Sequence, residues 1–246
     1  MTTSSKRVAI VTGASGGIGL AVSERLAKDG FTIVANYAGN AAAADALVAR
    51  IEAAGGRAVA TKADIADPRD VARMFDSAAT VFGGVDVLIN NAGIMNLATI
   101  ADSSDELFER HIAVNLRGTF NTLREAATRL RDGGRIVNVS TSITGLLYPT
   151  YGVYAATKAA VEAMTSILAK EMRGRSITVN AIAPGPTATP LLLDGRPKEA
   201  LDHLAKLTPL ERLGKPEDIA AAVAFLVGPD GSWINGQTLR ANGGII

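Results

Sequence analysis

Two hydrophobic rhythms alternate along this chain. Short continuous runs rich in β-branched residues are followed by longer alanine-rich stretches whose apolar positions recur at helical spacing. The short runs predict strands at 7–12, 32–36, 57–62, 85–90, 135–140, 178–182 and around 238–240. Their unbroken apolar character suits strands covered on both faces. The longer stretches predict helices at 17–29, 41–54, 68–82, 104–131, 151–173 and 216–227, and glycines such as Gly30, Gly55, Gly83 and Gly133 stand where a helix stops before a strand. Strand–helix alternation predicts an α/β fold: a doubly wound, seven-stranded parallel sheet with helices on both faces, in one domain over 1–246. Only 184–207 breaks the rhythm. Pro184, Pro186, Pro190 and Pro197 surround Leu191, Leu192 and Leu193, and a mobile substrate loop at about 186–210 is expected.

Charge narrows the partners. With 25 Lys and Arg against 24 Asp and Glu the net charge is +1, and no basic run or aromatic-basic stripe occurs, so nucleic-acid binding has no electrostatic support. Cysteine is absent, which removes disulfides, thiolate metal sites and cysteine nucleophiles. The two histidines have no partners at metal-ligand spacing, so no metal is expected. His111 reads as a solvent-facing or capping residue, His203 as unpartnered, and Trp233 as core or interface filler. No apolar stretch approaches the roughly 20 residues of a membrane helix, and the polar lead 1–6 lacks a signal pattern. A cytoplasmic protein with no membrane partner is expected.

Three short motifs carry chemistry. After the first strand, Gly13, Gly17 and Gly19 with Ser15 and Ile18 make a side-chain-poor turn into a helix, where backbone can approach a pyrophosphate stabilised by the helix N-terminus. The spacing meets the generic Rossmann fingerprint only loosely. Asn90, Asn91, Ala92 and Gly93 end the fourth predicted strand, where a doubly wound sheet places its ligand crevice. Tyr154 and Lys158 lie four apart on a helix and share a face. At a separation of about 5 Å and an effective dielectric near 20, the ammonium favours the tyrosinate by about 3 kcal/mol. That predicts a phenol lowered by about two pKa units, suited to general acid or base work.

These motifs, with Asn115 in Val114–Asn115–Leu116, a serine-rich strand end and Pro184–Gly185, recur in this order in the short-chain dehydrogenase/reductase family, which the chain resembles from about residue 6 to 244. The resemblance is to 3-oxoacyl carrier-protein reductase and carbonyl reductase members. It implies that Tyr154 exchanges the proton at the carbinol oxygen and that Lys158 holds the nicotinamide ribose and lowers the tyrosine. It also implies that Asn115 shapes its helix and holds a water, and that a serine hydroxyl orients the carbonyl. Ser142 is the expected serine, because Ser142-x-x-Gly145 matches the family run; counting along the strand from Arg135 or back from Tyr154 gives Thr141, and Ser140 stays open as well.

A nicotinamide cofactor follows from the resemblance, and the second strand chooses between its forms. An acid about 20 residues after the glycines would repel a 2′-phosphate, but Asn36, Tyr37, Ala38, Gly39 and Asn40 offer none, so NADPH is expected over NADH, with Tyr37 beside the ribose. Asp64 and Ile65 resemble the family's adenine contact; Pro184, Gly185 and Thr187 resemble the loop at the nicotinamide amide. Arg240–Ala241–Asn242–Gly243–Gly244 departs from the family's Asp-Gly-Gly ending. The expected activity is reduction of a ketone or aldehyde to an alcohol, with 3-oxoacyl carrier-protein reduction or a non-catalytic dinucleotide sensor as alternatives. The partners expected are a small-molecule carbonyl substrate and, from apolar residues on two faces of the helices at 104–131 and 151–173, further copies of the chain in a homotetramer.

Overall fold

Val8 and Ile10 of the first strand, β1 (Val8–Val11), sink into one hydrophobic cluster, while Ala9 and Val11 sink into another. Side chains alternate across a strand, so a sheet buried on both faces needs apolar residues at every position. In the computed structural model residues 6–246 are described; most of the polar lead lies outside them. β1 pairs with β2 (Thr32–Tyr37) and β4 (Val85–Asn90). Beyond β2 lies β3 (Arg57–Lys62); beyond β4 come β5 (Leu130–Val139), β6 (Thr178–Pro184) and β7 (Thr238–Ala241). All pairings are parallel, in the order β3-β2-β1-β4-β5-β6-β7. The winding reverses between β1 and β4, and the loops leaving their C-terminal ends open a crevice there.

One face is covered by α1 (Gly17–Lys28), α2 (Ala41–Ala53) and α10 (Pro216–Val227), which bury Val22, Leu47 and Val223. The other is covered by α3 (Pro68–Phe82), α5 (Thr119–Arg129) and α7 (Gly152–Glu171), which bury Phe75, Leu123 and Leu168. The expected helix 104–131 is divided into α4 (Asp105–His111), a π-helical turn Ile112–Gly118, and α5, and its last two residues already belong to β5. A π turn inserts a residue and re-aims the side chains on it; here Asn115 is turned fully inward. The segment expected to be irregular contains α8 (Pro190–Leu193), with proline at its first position, and α9 (Lys198–Leu207). A short α6 (Ile143–Leu146) follows β5.

Two of the covering helices are joined to the sheet by buried polar groups. The Thr122 hydroxyl donates to Asn90 Oδ1 at 2.6 Å, Asn90 Nδ2 to Asn138 Oδ1 at 2.8 Å, and Asn138 Nδ2 to Thr165 Oγ1 at 2.8 Å. All four side chains are buried, and each amide has its partner, as burial demands.

Candidate active site

Thr12 couples the first two motifs. Its hydroxyl accepts the Asn91 and Ala92 N–H groups, each at 3.0 Å, and Asn91 Nδ2 returns bonds to the Thr12 and Gly13 carbonyls at 3.0 and 3.1 Å. Gly13 sits at φ 62, where its missing Cβ would stand 2.9 Å from Ala92 Cα. A Cβ on Gly19 would collide with the Gly13 carbonyl and Asn91 Nδ2, so Gly19 is required for the approach of helix to loop and does not line the cleft. The N-cap of α1, Gly16, makes no side-chain capping bond, which leaves the first N–H groups of the helix free for an anion.

The crevice is an open cleft of ≈ 590 Å³, within the range of small-molecule sites. Gly13, Ser15, Gly17, Ile18, Asp64, Ile65, Asn91, Gly93, Ser142, Tyr154, Lys158, Pro184, Gly185 and Thr187 all line it. Tyr37 does not; the wall at the end of β2 is made by Asn36, Ala38 and Gly39, with no carboxylate among them. Asn36 was missed as a builder of the loop: its Oδ1 accepts the Gly13 N–H at 3.3 Å and its Nδ2 donates to the Ala63 carbonyl at 3.0 Å. A polar residue closing an otherwise apolar buried strand was the available signal. Asp64 caps its own turn, accepting the Ala66 N–H at 2.9 Å.

The third motif lies on α7. Tyr154 and Lys158 are buried, with Lys158 Nζ 6.0 Å from the phenol ring centre and donating to the Val139 carbonyl at 2.7 Å. Burial pushes the Tyr154 phenol up to about 12, partly opposed by a hydrogen bond with Thr141. Burial also pushes Lys158 down to about 8. The phenol was expected to be lowered by its lysine; desolvation raises it instead, and both groups are drawn toward their neutral forms. At neutral pH the phenol therefore holds its proton.

The hydroxyl beside Tyr154 is that of Thr141. Ser142, the expected residue, lines the cleft but is engaged elsewhere: its Oγ donates to the Ala183 carbonyl at 3.2 Å and accepts from Asn242 Nδ2 at 3.0 Å. Ser140 donates to Glu162 at 2.5 Å. Asn115 stands behind the cleft, its Oδ1 accepting the Ile94 N–H at 2.8 Å and its Nδ2 donating to the Ile94 carbonyl at 2.9 Å. Gly93 packs over it, its position 3.2 Å from Asn115 Oδ1 and 3.5 Å from Lys158 Nζ for an added Cβ. His111, read as surface or cap, is fully buried, and Trp233, read as filler, is 96% exposed.

Beyond the tyrosine the cleft wall turns apolar, with Met95, Ile143, Leu146, Leu191, Leu192, Leu204 and Ile245 alongside Tyr148 and Tyr151. The Tyr151 and Tyr154 rings meet edge to face at 6.3 Å, and the Tyr151 hydroxyl accepts from Arg196 at 3.1 Å, joining the α8–α9 segment to the start of α7.

Residues 13–246 match a family model described as enoyl-(acyl carrier protein) reductase. A short-chain type dehydrogenase/reductase of Picea abies is 45% identical over 97% of this chain and 92% of its own length. The chain belongs to the short-chain dehydrogenase/reductase family. Another relative, NADPH-dependent aldehyde reductase 2, chloroplastic, of Arabidopsis thaliana, is 45% identical over 98% of this chain and 94% of its own. A short chain dehydrogenase from Burkholderia cenocepacia J2315, solved in complex with NADP, has 40% identity and a TM-score of 0.92, covering 98% of each chain. Membership makes this chain an oxidoreductase of that family. Among the described residues no helix is long and apolar enough to cross a membrane.

Proposed function

We propose that this enzyme reduces the carbonyl of an apolar ketone or aldehyde to an alcohol with NADPH. The observation that carries the reading is the Tyr154–Thr141 hydroxyl pair, beside Lys158, opening onto an apolar wall at one end of a glycine-lined cleft. NADPH supplies the hydride when bound. The residues present fit it: the uncapped start of α1 and the loop from Gly13 to Gly19 suit the pyrophosphate, and the acid-free wall at Ala38 and Gly39 tolerates a 2′-phosphate. Asp64 and Ile65 would flank the adenine, Asn91 and Gly93 the middle of the dinucleotide, and Pro184, Gly185 and Thr187 the nicotinamide. The NADPH-dependent Arabidopsis relative and the NADP complex from Burkholderia support the same choice.

The protein's own part is proton and position. As the carbonyl carbon is reduced, Tyr154 delivers its phenolic proton to the carbonyl oxygen, which Thr141 holds by a second hydrogen bond. Lys158, largely charged at neutral pH, stabilises the phenolate left behind and holds the ribose. Asn115 fixes Ile94 and thereby the wall facing both. The apolar lining favours an uncharged, bulky carbonyl compound over a small polar one. Steady-state reduction of a panel of aromatic and aliphatic ketones and aldehydes tests this. An acyl thioester belongs in the same panel, as the competing substrate. Exclusive turnover of the thioester, or of charged carbonyl compounds, would reject the apolar reading. We also infer that the enzyme assembles as a homotetramer, because Phe120 on α5 and Ile167 on α7 present apolar side chains outward.

A further inference from the structure

We infer that His111 is a positioning residue: neutral and protonated on Nδ1, it fixes the Ile94–Asn96 segment, together with Asn115, as a substrate-facing wall of the cleft. His111 is the last residue of α4, where the helix passes into the π turn, and it is fully buried. Its Nε2 lies 3.1 Å from the Asn96 backbone nitrogen. A backbone N–H can only donate, so Nε2 must accept and carry no proton. Its Nδ1 lies 2.8 Å from the Leu107 carbonyl, which can only accept, so Nδ1 carries the proton. The two contacts together select one tautomer of the neutral ring.

Four residues on, Asn115 occupies both backbone polar atoms of Ile94. The segment is thus held at its first and third residues by two side chains one turn apart, and the side chains of Ile94 and Met95 line the cleft. Further along, the Ala98 N–H donates to the Thr150 carbonyl at 3.1 Å, which joins the segment to the loop leading into Tyr154. An apolar residue at 111 would fill the space and leave the Asn96 N–H without its acceptor. The imidazole therefore acts on the placement of Met95, on the carbonyl side of the cleft, and not on the phosphate-binding loop.

Two measurements test this, and only the second rests on the carbonyl-reductase reading. The chain has two histidines, so the imidazole ¹⁵N spectrum of the unmodified protein, assigned with His203→Gln, isolates the His111 signals. A neutral Nδ1–H pattern is expected near pH 7; an Nε2–H tautomer or an imidazolium overturns the assignment. In the second, His111→Leu should raise KM for the carbonyl by about fivefold to tenfold, the effect of one hydrogen bond. The amide oxygen of His111→Gln can accept from Asn96 and should restore KM to within about twofold, with kcat and NADPH affinity held in both variants. Equal losses in the two variants, or a parallel loss of NADPH affinity, overturn the positioning role. Where the leucine variant does not fold, the spectrum of the unmodified protein decides. Absence of carbonyl turnover would instead reject the substrate reading and leave the tautomer test standing.

Discussion

Thr141 presents its side chain to the Tyr154 phenol and opposes the rise of its pKa, while Ser142, one residue further, faces Ala183 and Asn242. The strand decides which neighbour faces Tyr154. Ser140 and Ser142 both donate their backbone N–H to β6, at 2.7 Å to Ile182 and 2.9 Å to Pro184, so the pairing runs on past β5 until Ser142, at φ -68 and ψ -11, turns into α6. The residue between them points the other way. Asn242, at the position where the family ending carries an acid, completes the arrangement by donating to Ser142.

Thr141→Val keeps the shape and removes the hydroxyl, and kcat/KM for carbonyl reduction should fall by about 10²-fold or more. Ser142→Ala should leave turnover within about threefold and lower stability by about 1–3 kcal/mol, because the Asn242 amide loses its acceptor in a buried site. Steady-state kinetics and denaturant melts on the two variants check this. The opposite ranking would return the role to Ser142.

Tyr154→Phe removes only the proton donor. Turnover should fall by about 10²–10⁴-fold, while NADPH titration by fluorescence stays close to that of the unmodified enzyme. Near-normal turnover would sink the mechanism.

Lys158 gives stability a pH dependence. Its folded value of about 8 lies below the ordinary 10.5, so between those limits the unfolded chain holds a proton that the folded chain has released. Stability contributed by this group rises with pH across that window and is flat below it. Lys158→Met should remove that rise, with its advantage over the unmodified protein greatest below about pH 8. Denaturant midpoints of the two proteins from pH 7 to 10.5 provide the comparison, and parallel curves would contradict the burial of a titrating lysine.

Ala38→Asp sets a carboxylate in the acid-free wall at the end of β2. Like-charge repulsion should raise the KM for NADPH by about tenfold or more and leave NADH less affected. An unchanged cofactor ratio would place the 2′-phosphate elsewhere.

Most of the sheet was legible because strand and helix periods differ sharply: β3, β4, α3 and α10 fall where the pattern places them. The divided helix around Asn115 was not, since a π turn depends on tertiary contacts that apolar spacing does not encode. Prolines concealed α8 and α9, where Pro190 begins a helix and Pro197 precedes one. At the site, the types and spacing of the glycines and of the Tyr154–Lys158 pair were enough to place them at one cleft. The placement of Thr141 and His111 depended on which way a side chain faces, and the elevated phenol depended on burial.

Phe120 is 47% exposed on α5 and Ile167 56% exposed on α7, the helix that carries Tyr154 and Lys158. A homotetramer should sediment at about four times the 25.4 kDa of the chain. Phe120→Lys should shift it toward smaller species. A fully active species near 25.4 kDa would refute the assembly.

The buried chain from Thr122 through Asn90 and Asn138 to Thr165 runs in one sense, every link donating toward α7, and it ends where the Thr165 hydroxyl donates to Val161 at 2.8 Å. Reversing any single amide would set two donors or two acceptors nose to nose. Greasy surfaces can slide by part of a residue at little cost, but a sequence of directed bonds has discrete seats. The helix bearing Tyr154 is therefore keyed to the sheet behind the cleft, and the aim of Tyr154 is set by two buried asparagines that form no part of the cleft wall.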